Sequence, residues 1–461
     1  MDKIPLLGLS DPLVAPTGFG RGSRELFVRI PQDLFRLAYI STGWAGSSRF
    51  PGIQTYAETR STPGFDCCQT VFPYAVTDFT GPQEPFILWT LLDPWQTSWI
   101  SHPTESPIRS AASEEFLSKH RDRFKWIGYF PIDGTGPRPD HPPRWIGDII
   151  SQMDYPVAMS RWGQKLCNAV CSKEIRVISH AVNIQALKPV DRSKARESVQ
   201  GRYYRTLAAT ITEKYPEVKI EQVVQEADSR TFRFDQNFVV ICVMANRARK
   251  YWWEVLQAFK LLLVSVPNAR LIGICSSRHA TEEDMTPLIE CCHDLELRLD
   301  NEAHNPNVWL IESVVDRPGV EDQTMSLLYN CADCAVLLSG GEGFGLPQLE
   351  AHACGIPCIV GDYSASTELA VSTRELVSPR GFYHVGSNQT RRPIYSPKDI
   401  ADRLIYAAQN QAWCQETGQL GIAQASERSW EKVLPQWTDL FAEVAAGISS
   451  QREERAGAQV V

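Results

Sequence analysis

Between residues 238 and 360 the chain alternates short, mostly apolar runs with stretches of helical periodicity. The runs are Phe238–Met244, Ala269–Cys275, Val308–Ile311, Cys334–Ser339 and Ile356–Val360. Helical stretches are read at 252–266, 283–298, 324–332, 347–354 and 398–410. A strand that is apolar at every position has both faces covered, and such strands belong to parallel sheets wrapped by helices. This pattern fixes an α/β class and a doubly wound domain. Domains of that kind take ligands at the carboxyl ends of their strands.

The first half repeats the pattern less regularly. Arg36–Ile40, Phe86–Leu92, Trp126–Phe130, Val157–Met159 and Ile175–Ile178 read as buried strands. Seven of the 13 tryptophans and a proline cluster at 131–143 fall in this half, so long aromatic loops are expected on a second sheet. The expected division is an N-terminal domain at 1–187, a charged linker or insertion at 188–235 with a helix at 198–215, and a C-terminal domain at 236–415. Helices crossing back toward the first domain are expected at 416–461, with a frayed tail from 451. With 461 residues, each domain can bury its own core.

Charge and cysteine usage narrow the function classes. The net charge of −8 is uneven: residues 1–190 carry 19 basic and 18 acidic side chains, the remainder 27 and 36. No basic block marks a nucleic-acid surface. No apolar run approaches the ~18 residues that span a bilayer, and the patch at Ile4–Gly8 is too brief for a signal-peptide core. The 13 cysteines are scattered, several within apolar runs, as reduced cysteines in a core are. A cytoplasmic protein is expected. Cys331-Ala-Asp-Cys334 lacks a second pair at zinc spacing and is read as structural.

The chemistry gathers in Ser339-Gly-Gly-Glu-Gly-Phe-Gly-Leu-Pro-Gln-Leu-Glu350. A strand ends in a glycine-rich loop, Pro347 suits a helix start, and Gly355 suits its end. Free N–H groups at that helix start, with the positive end of its dipole, make an anion site. Two carboxylates, Glu342 and Glu350, bracket it. Beside a phosphate they are useful only as acceptors for hydroxyls, which describes a nucleotide sugar. Ala245-Asn-Arg-Ala-Arg-Lys250 follows the domain's first strand and places Arg247, Arg249 and Lys250 at the same sheet end. Arg247 and Lys250 can neutralise a departing diphosphate; Arg249 shares that role or is solvated.

Glu342-x7-Glu350 with Gly-Phe-Gly-Leu-Pro between resembles the retaining, family 4-like glycosyltransferases of the GT-B fold, glycosyl transferases group 1. The resemblance extends through Ala351-His-Ala-Cys-Gly-Ile-Pro to Glu368 and covers Asn246–Lys250 with Phe259. Ser179-His-Ala-Val-Asn183 resembles the family's domain junction, and Pro16-Thr-Gly-Phe-Gly20 its first glycine loop. What it implies is two Rossmann-like doubly wound domains facing across a cleft, and metal-independent transfer with retention. Glu350 would bind ribose and Glu342 the transferred sugar. Gly343, Phe344, Gly345 and Leu346 would orient that sugar through their amides, and Arg247 and Lys250 would hold the diphosphate. Gly18 and Gly20 would admit the phosphate or acceptor from the other domain. The Arg247–Lys250 spacing is tighter than the family's usual interval. The first domain shows no obvious family histidine; Asp133 and Asp93 are the candidates near the sugar, with a turn role for Asp133 as the plainer reading, and His180 could reach the cleft, with a structural role as the plainer reading. No cofactor or metal is expected beyond the donor. The acceptor, whether saccharide, lipid carrier, small molecule, protein or modified nucleic-acid base, is left open, as is the oligomeric state. A catalytically silent sugar-nucleotide binder and a GT-B epimerase or phosphorylase are the rival readings.

Overall fold

The structure, a computed structural model, describes residues 3–15, 17–42, 50–57, 71–102, 104–106, 111–214, 216–234, 237–276, 285–300, 302–313, 320–386 and 388–458. Pro16, quoted above, lies outside them. The chain divides into two compact units: Met1–Ala181 with His384–Arg391 and Trp430–Val461, and Val182–Tyr383 with Arg392–Ser429.

The first unit is built on a seven-stranded sheet of order β3-β2-β1-β4-β5-β6-β7, all paired parallel. The strands are β1 (Ile4–Ser10), β2 (Phe35–Ser41), β3 (Ile53–Ala57), β4 (Phe86–Leu91), β5 (Phe124–Phe130), β6 (Tyr155–Ala158) and β7 (Arg176–Val177). The expected set omitted β1 and β3. Yet β1 lies at the centre, with Leu6 opposite both Leu37 and Ile87. The helix Trp430–Ala458 belongs to this unit and is helical beyond residue 451, where a frayed tail was expected. From it Trp437 enters the core edge-on to Trp89 and Tyr129, at 6.0 and 4.8 Å between ring centroids.

The second unit carries six parallel strands in the order β10-β9-β8-β11-β12-β13. They are β8 (Val239–Ala245), β9 (Arg270–Ser276), β10 (Val308–Ser313), β11 (Cys334–Leu337), β12 (Cys358–Gly361) and β13 (Leu376–Val377). Strand order runs outward in both directions from β8 and β11, so the topological switch point lies between those two strands. Segment 188–235, expected as a linker or insertion, forms the helices Arg192–Lys214 and Ile220–Arg230 within this unit. Asp333 holds the first of them. Its carboxylate accepts Arg192 at 2.6 Å, Arg196 at 2.7 Å and the Val239 N–H at 2.8 Å. Cys331 and Cys334 flank Asp333 and are buried, and burial pushes the Cys331 thiol up to about 12. Among the described residues no helix is long and apolar enough to cross a membrane.

A pH dependence is built in next to β10. Asp300 is buried, and its Oδ1 accepts the Leu310 N–H at 3.0 Å. Burial, only partly offset by that bond, raises its carboxyl to about 6. A folded-state value above the unfolded ~3.9 means the native state binds more protons between pH 4 and 6. Stability is therefore lost as pH rises through that window. Asp300→Asn, whose Oδ1 can still accept the amide, is expected to be more stable than wild type by about 1–3 kcal/mol at pH 7. Urea unfolding at pH 7 and pH 4 measures it; the gain should vanish at pH 4, and equal stabilities at pH 7 would refute it.

Candidate active site

At the switch point, the turn after β8 and the loop after β11 are tied together. The Lys250 N–H donates to the Arg247 carbonyl at 2.8 Å and closes a tight turn. The turn is bound to the second loop by Gly340 N–H to Arg249 carbonyl at 2.7 Å and Tyr251 N–H to Leu338 carbonyl at 3.2 Å. Asn246 fixes its base, exchanging side-chain bonds with the Thr286 backbone at 3.0 and 2.9 Å. A parallel sheet thus delivers the two sequence motifs, some 90 residues apart, to one edge.

Lys250 and Glu342, each 8% exposed, meet there, with the Lys250 Nζ donating to Glu342 Oε1. Arg249 Nη1 stands 4.0 Å from the other carboxylate oxygen and donates to the Gly341 carbonyl at 2.7 Å. Burial alone would raise the Glu342 carboxyl. The charges of Lys250 and then Arg249 outweigh it and hold the group below its ordinary value. The Glu342 backbone N–H donates to Ser364 Oγ at 2.8 Å, so the residue is held at its main chain as well as at its carboxylate. Arg249, read above as shared or solvated, is thus engaged with the loop. Arg247 is half-buried in the same turn.

The loop then enters the helix Leu346–Ala353, with Gly345 as its N-cap and Pro347 in the first turn. Gly345 has φ 104° and ψ 50°, a left-handed conformation that costs other residues on the order of 1–3 kcal/mol. It turns the chain sharply enough for Phe344 to be buried while Gly343 and Leu346 stay partly open. A Gly345→Ala variant should weaken nucleotide binding severalfold by moving the helix start; calorimetry at equal folded fraction would show it. Gly355 ends the helix in the left-handed region at φ 77°. Glu350, 2% exposed, accepts the Tyr329 hydroxyl at 3.0 Å on Oε2. Tyr329 escaped sequence reading, because nothing in its own segment marks it as facing the motif. The positive end of the helix, two carboxylates and three cations can together hold a phosphate that carries hydroxyl-rich groups.

The remaining candidates belong to the first unit. Gly18 is exposed at the start of the helix Gly18–Phe27, which Thr17 caps by accepting the Gly20 N–H at 3.0 Å. Gly20 is buried for a packing reason: a Cβ there would stand 2.6 Å from the Pro12 carbonyl. Asp133 is half-buried past the end of β5. Asp93 caps the turn Pro94–Thr97, its N–H donating to Gln96 at 2.9 Å. His180 is buried against the Tyr129 hydroxyl at 3.2 Å, and burial lowers it to about 4, so it is neutral. Among the tryptophans of this unit, Trp99 is buried and Trp95 exposed; Trp145 packs partly buried against the core.

Residues 224–411 match the family described as Glycosyl transferases group 1. Among curated proteins, the O-antigen chain mannosyltransferase B of Escherichia coli is 30% identical over 125 residues, 26% of this chain. The chain spans only 28% of that relative's length. Among solved structures, the sucrose-phosphate synthase of Thermosynechococcus elongatus superposes with a TM-score of 0.66 at 14% identity, covering 96% of this chain and 100% of that one. Anabaena HepE in complex with UDP and glucose gives 0.61 at 12% identity, with 96% and 100% covered. A trehalose-phosphate synthase of Burkholderia multivorans gives 0.57 at 11% identity, with 98% and 100% covered.

Proposed function

We propose, from the premise that this chain carries a glycosyl transferases group 1 domain on a GT-B fold, that it moves a sugar from a nucleoside diphosphate sugar to an acceptor hydroxyl. The observation that carries this reading is the meeting of Lys250, Arg249 and Glu342 at the β8/β11 switch point, beside the helix that bears Glu350. In it, the helix start and Arg247, Arg249 and Lys250 take the charge that grows on the departing diphosphate. Glu342 then exchanges its lysine for sugar hydroxyls, and Glu350 accepts from ribose. The cations of the turn supply the neutralisation that a divalent ion gives elsewhere, which favours metal independence. Retention rests on the resemblance of Glu342-x7-Glu350 to the retaining family. The free, buried cysteines among the described residues suit a reducing, cytoplasmic setting.

The printed partners of the similar structures, UDP and glucose for HepE and glucose-6-phosphate for a related trehalose-phosphate synthase, set the first trial. Purified protein is incubated with UDP-, GDP- and ADP-sugars, with sugar phosphates and mannosides as acceptors. Nucleotide release and the anomeric NMR signal of the product are then read. Release that persists in EDTA, with the donor's anomeric configuration kept, is expected. Tight nucleotide binding without turnover would instead mark a silent binder.

A further inference from the structure

We infer that Tyr329 is a positioning residue for the donor's ribose, acting through Glu350; this rests on the donor-site reading above. Tyr329 lies on the helix Asp322–Cys331, which enters β11, while Glu350 lies on the helix that leaves the loop after it. Both side chains are buried, at 1% and 2% exposed. The phenol donates to Glu350 Oε2 at 3.0 Å and reaches the Pro347 carbonyl at 3.4 Å. One hydroxyl therefore touches both the carboxylate and the first turn of its helix.

The platform beneath the tyrosine is rigid. Asn330 is buried next to it, donates to the Ser326 and Lys188 carbonyls at 2.8 and 2.9 Å, and accepts the Val190 N–H at 2.8 Å. Burial, then the charge of Glu350, keeps the Tyr329 phenol protonated far past neutral pH, so it is always a donor. A phenol also holds a carboxylate without cancelling its charge, as a lysine would. A ribose diol would donate to the carboxylate that this phenol orients. Selectivity for ribose over a sugar lacking those hydroxyls then depends on an oxygen that Tyr329 aims.

The test compares dissociation constants for UDP, GDP and ADP with those of their 2′,3′-dideoxy counterparts on the full chain. For the best-bound nucleotide, wild type should prefer the ribose form. Tyr329→Phe, which removes one oxygen and keeps the ring, should shrink that preference at least fivefold. Maximal turnover at saturating donor should stay within about threefold, since Tyr329 touches no reacting atom. Glu350→Gln should lose the preference, and adding Tyr329→Phe to it should change nothing more. Should Tyr329→Phe melt early, 3-fluorotyrosine at 329 serves instead, and its stronger donor should keep or raise the preference. An unchanged ratio in Tyr329→Phe, or a fall with 3-fluorotyrosine, overturns the assignment of Tyr329 alone. Failure of wild type to bind any of the three nucleotides overturns the donor-site reading, and this inference with it.

Discussion

Arg247→Ala combined with Lys250→Ala is expected to reduce donor turnover by at least two to three orders of magnitude, as loss of a single donor to developing charge costs on the order of 100- to 1000-fold. The lysine also has a second effect. Lys250 is the contact that compensates the buried Glu342 charge most closely, with Arg249 at 4.0 Å as the weaker one. Removing Lys250 alone strands a carboxylate that is 8% exposed. Breaking a buried pair from one side costs about 3–5 kcal/mol. Lys250→Met with Glu342→Gln removes both charges and should recover most of that stability while leaving turnover abolished. Nucleotide release at saturating donor, beside urea melts of the variants, separates the two effects. Near-wild-type release by the Arg247→Ala/Lys250→Ala protein would sink the proposed role of this turn.

A packing variant outside the site should have the next largest effect. The helix Gln411–Ser426 lies against the helix Leu346–Ala353, and a Cβ at Gly418 would stand 2.1 Å from the Gly355 carbonyl oxygen. Nearby, a Cβ at Gly421 would come within 3.0 Å of the His352 side chain, itself bonded to the buried Glu375 at 2.8 Å. At Gly418 the obstacle is backbone at a helix end, which cannot swing away as a side chain can. Gly418→Ala must push the two helices apart, and overpacking of this kind costs about 1–3 kcal/mol, occasionally more. A melting point lower by roughly 5 °C or more is expected. Because the displaced helix carries Glu350, nucleotide affinity should fall with it. An alanine variant with wild-type melting and affinity would show that the two backbones are not in such close contact.

Which parts of this structure could be read in advance follows from where each residue's information lies. Strands β8–β12 announce themselves because most of their positions are buried on both faces and so are apolar, with polar residues such as Arg270, Glu312 and Ser313 at their ends. The same rule failed for β1, where Pro5 and Gly8 look like breakers. Gly8 is there because a Cβ would meet the Phe27 and Tyr39 rings at 2.4 and 2.6 Å, a tertiary reason invisible in seven residues. Segment 188–235 looked like a linker because its helices are mostly polar; what holds the first is Asp333, more than 130 residues on. At the candidate site, the glycine loop, Pro347 and the three cations were legible as an anion site, since backbone geometry and charge are local. That Lys250 would lie against Glu342, or that Tyr329 would steady Glu350, depends on how two loops and two helices meet. Pairings of that kind are set by the sheet, not by either motif.

The helix beginning at Trp430 has a consequence for how the chain comes off the ribosome. Trp437 packs against Trp89 and Tyr129, so the core of the first sheet is completed by residues made after the whole of the second unit. At about 5–20 residues per second, some 350 residues separate the emergence of Trp89 from that of its partner, a wait of roughly 20–70 s. The second unit ends at Ser429 and has all its parts before then. Synthesis order and completion order are therefore reversed: the sheet translated before the other waits for that other unit to be finished.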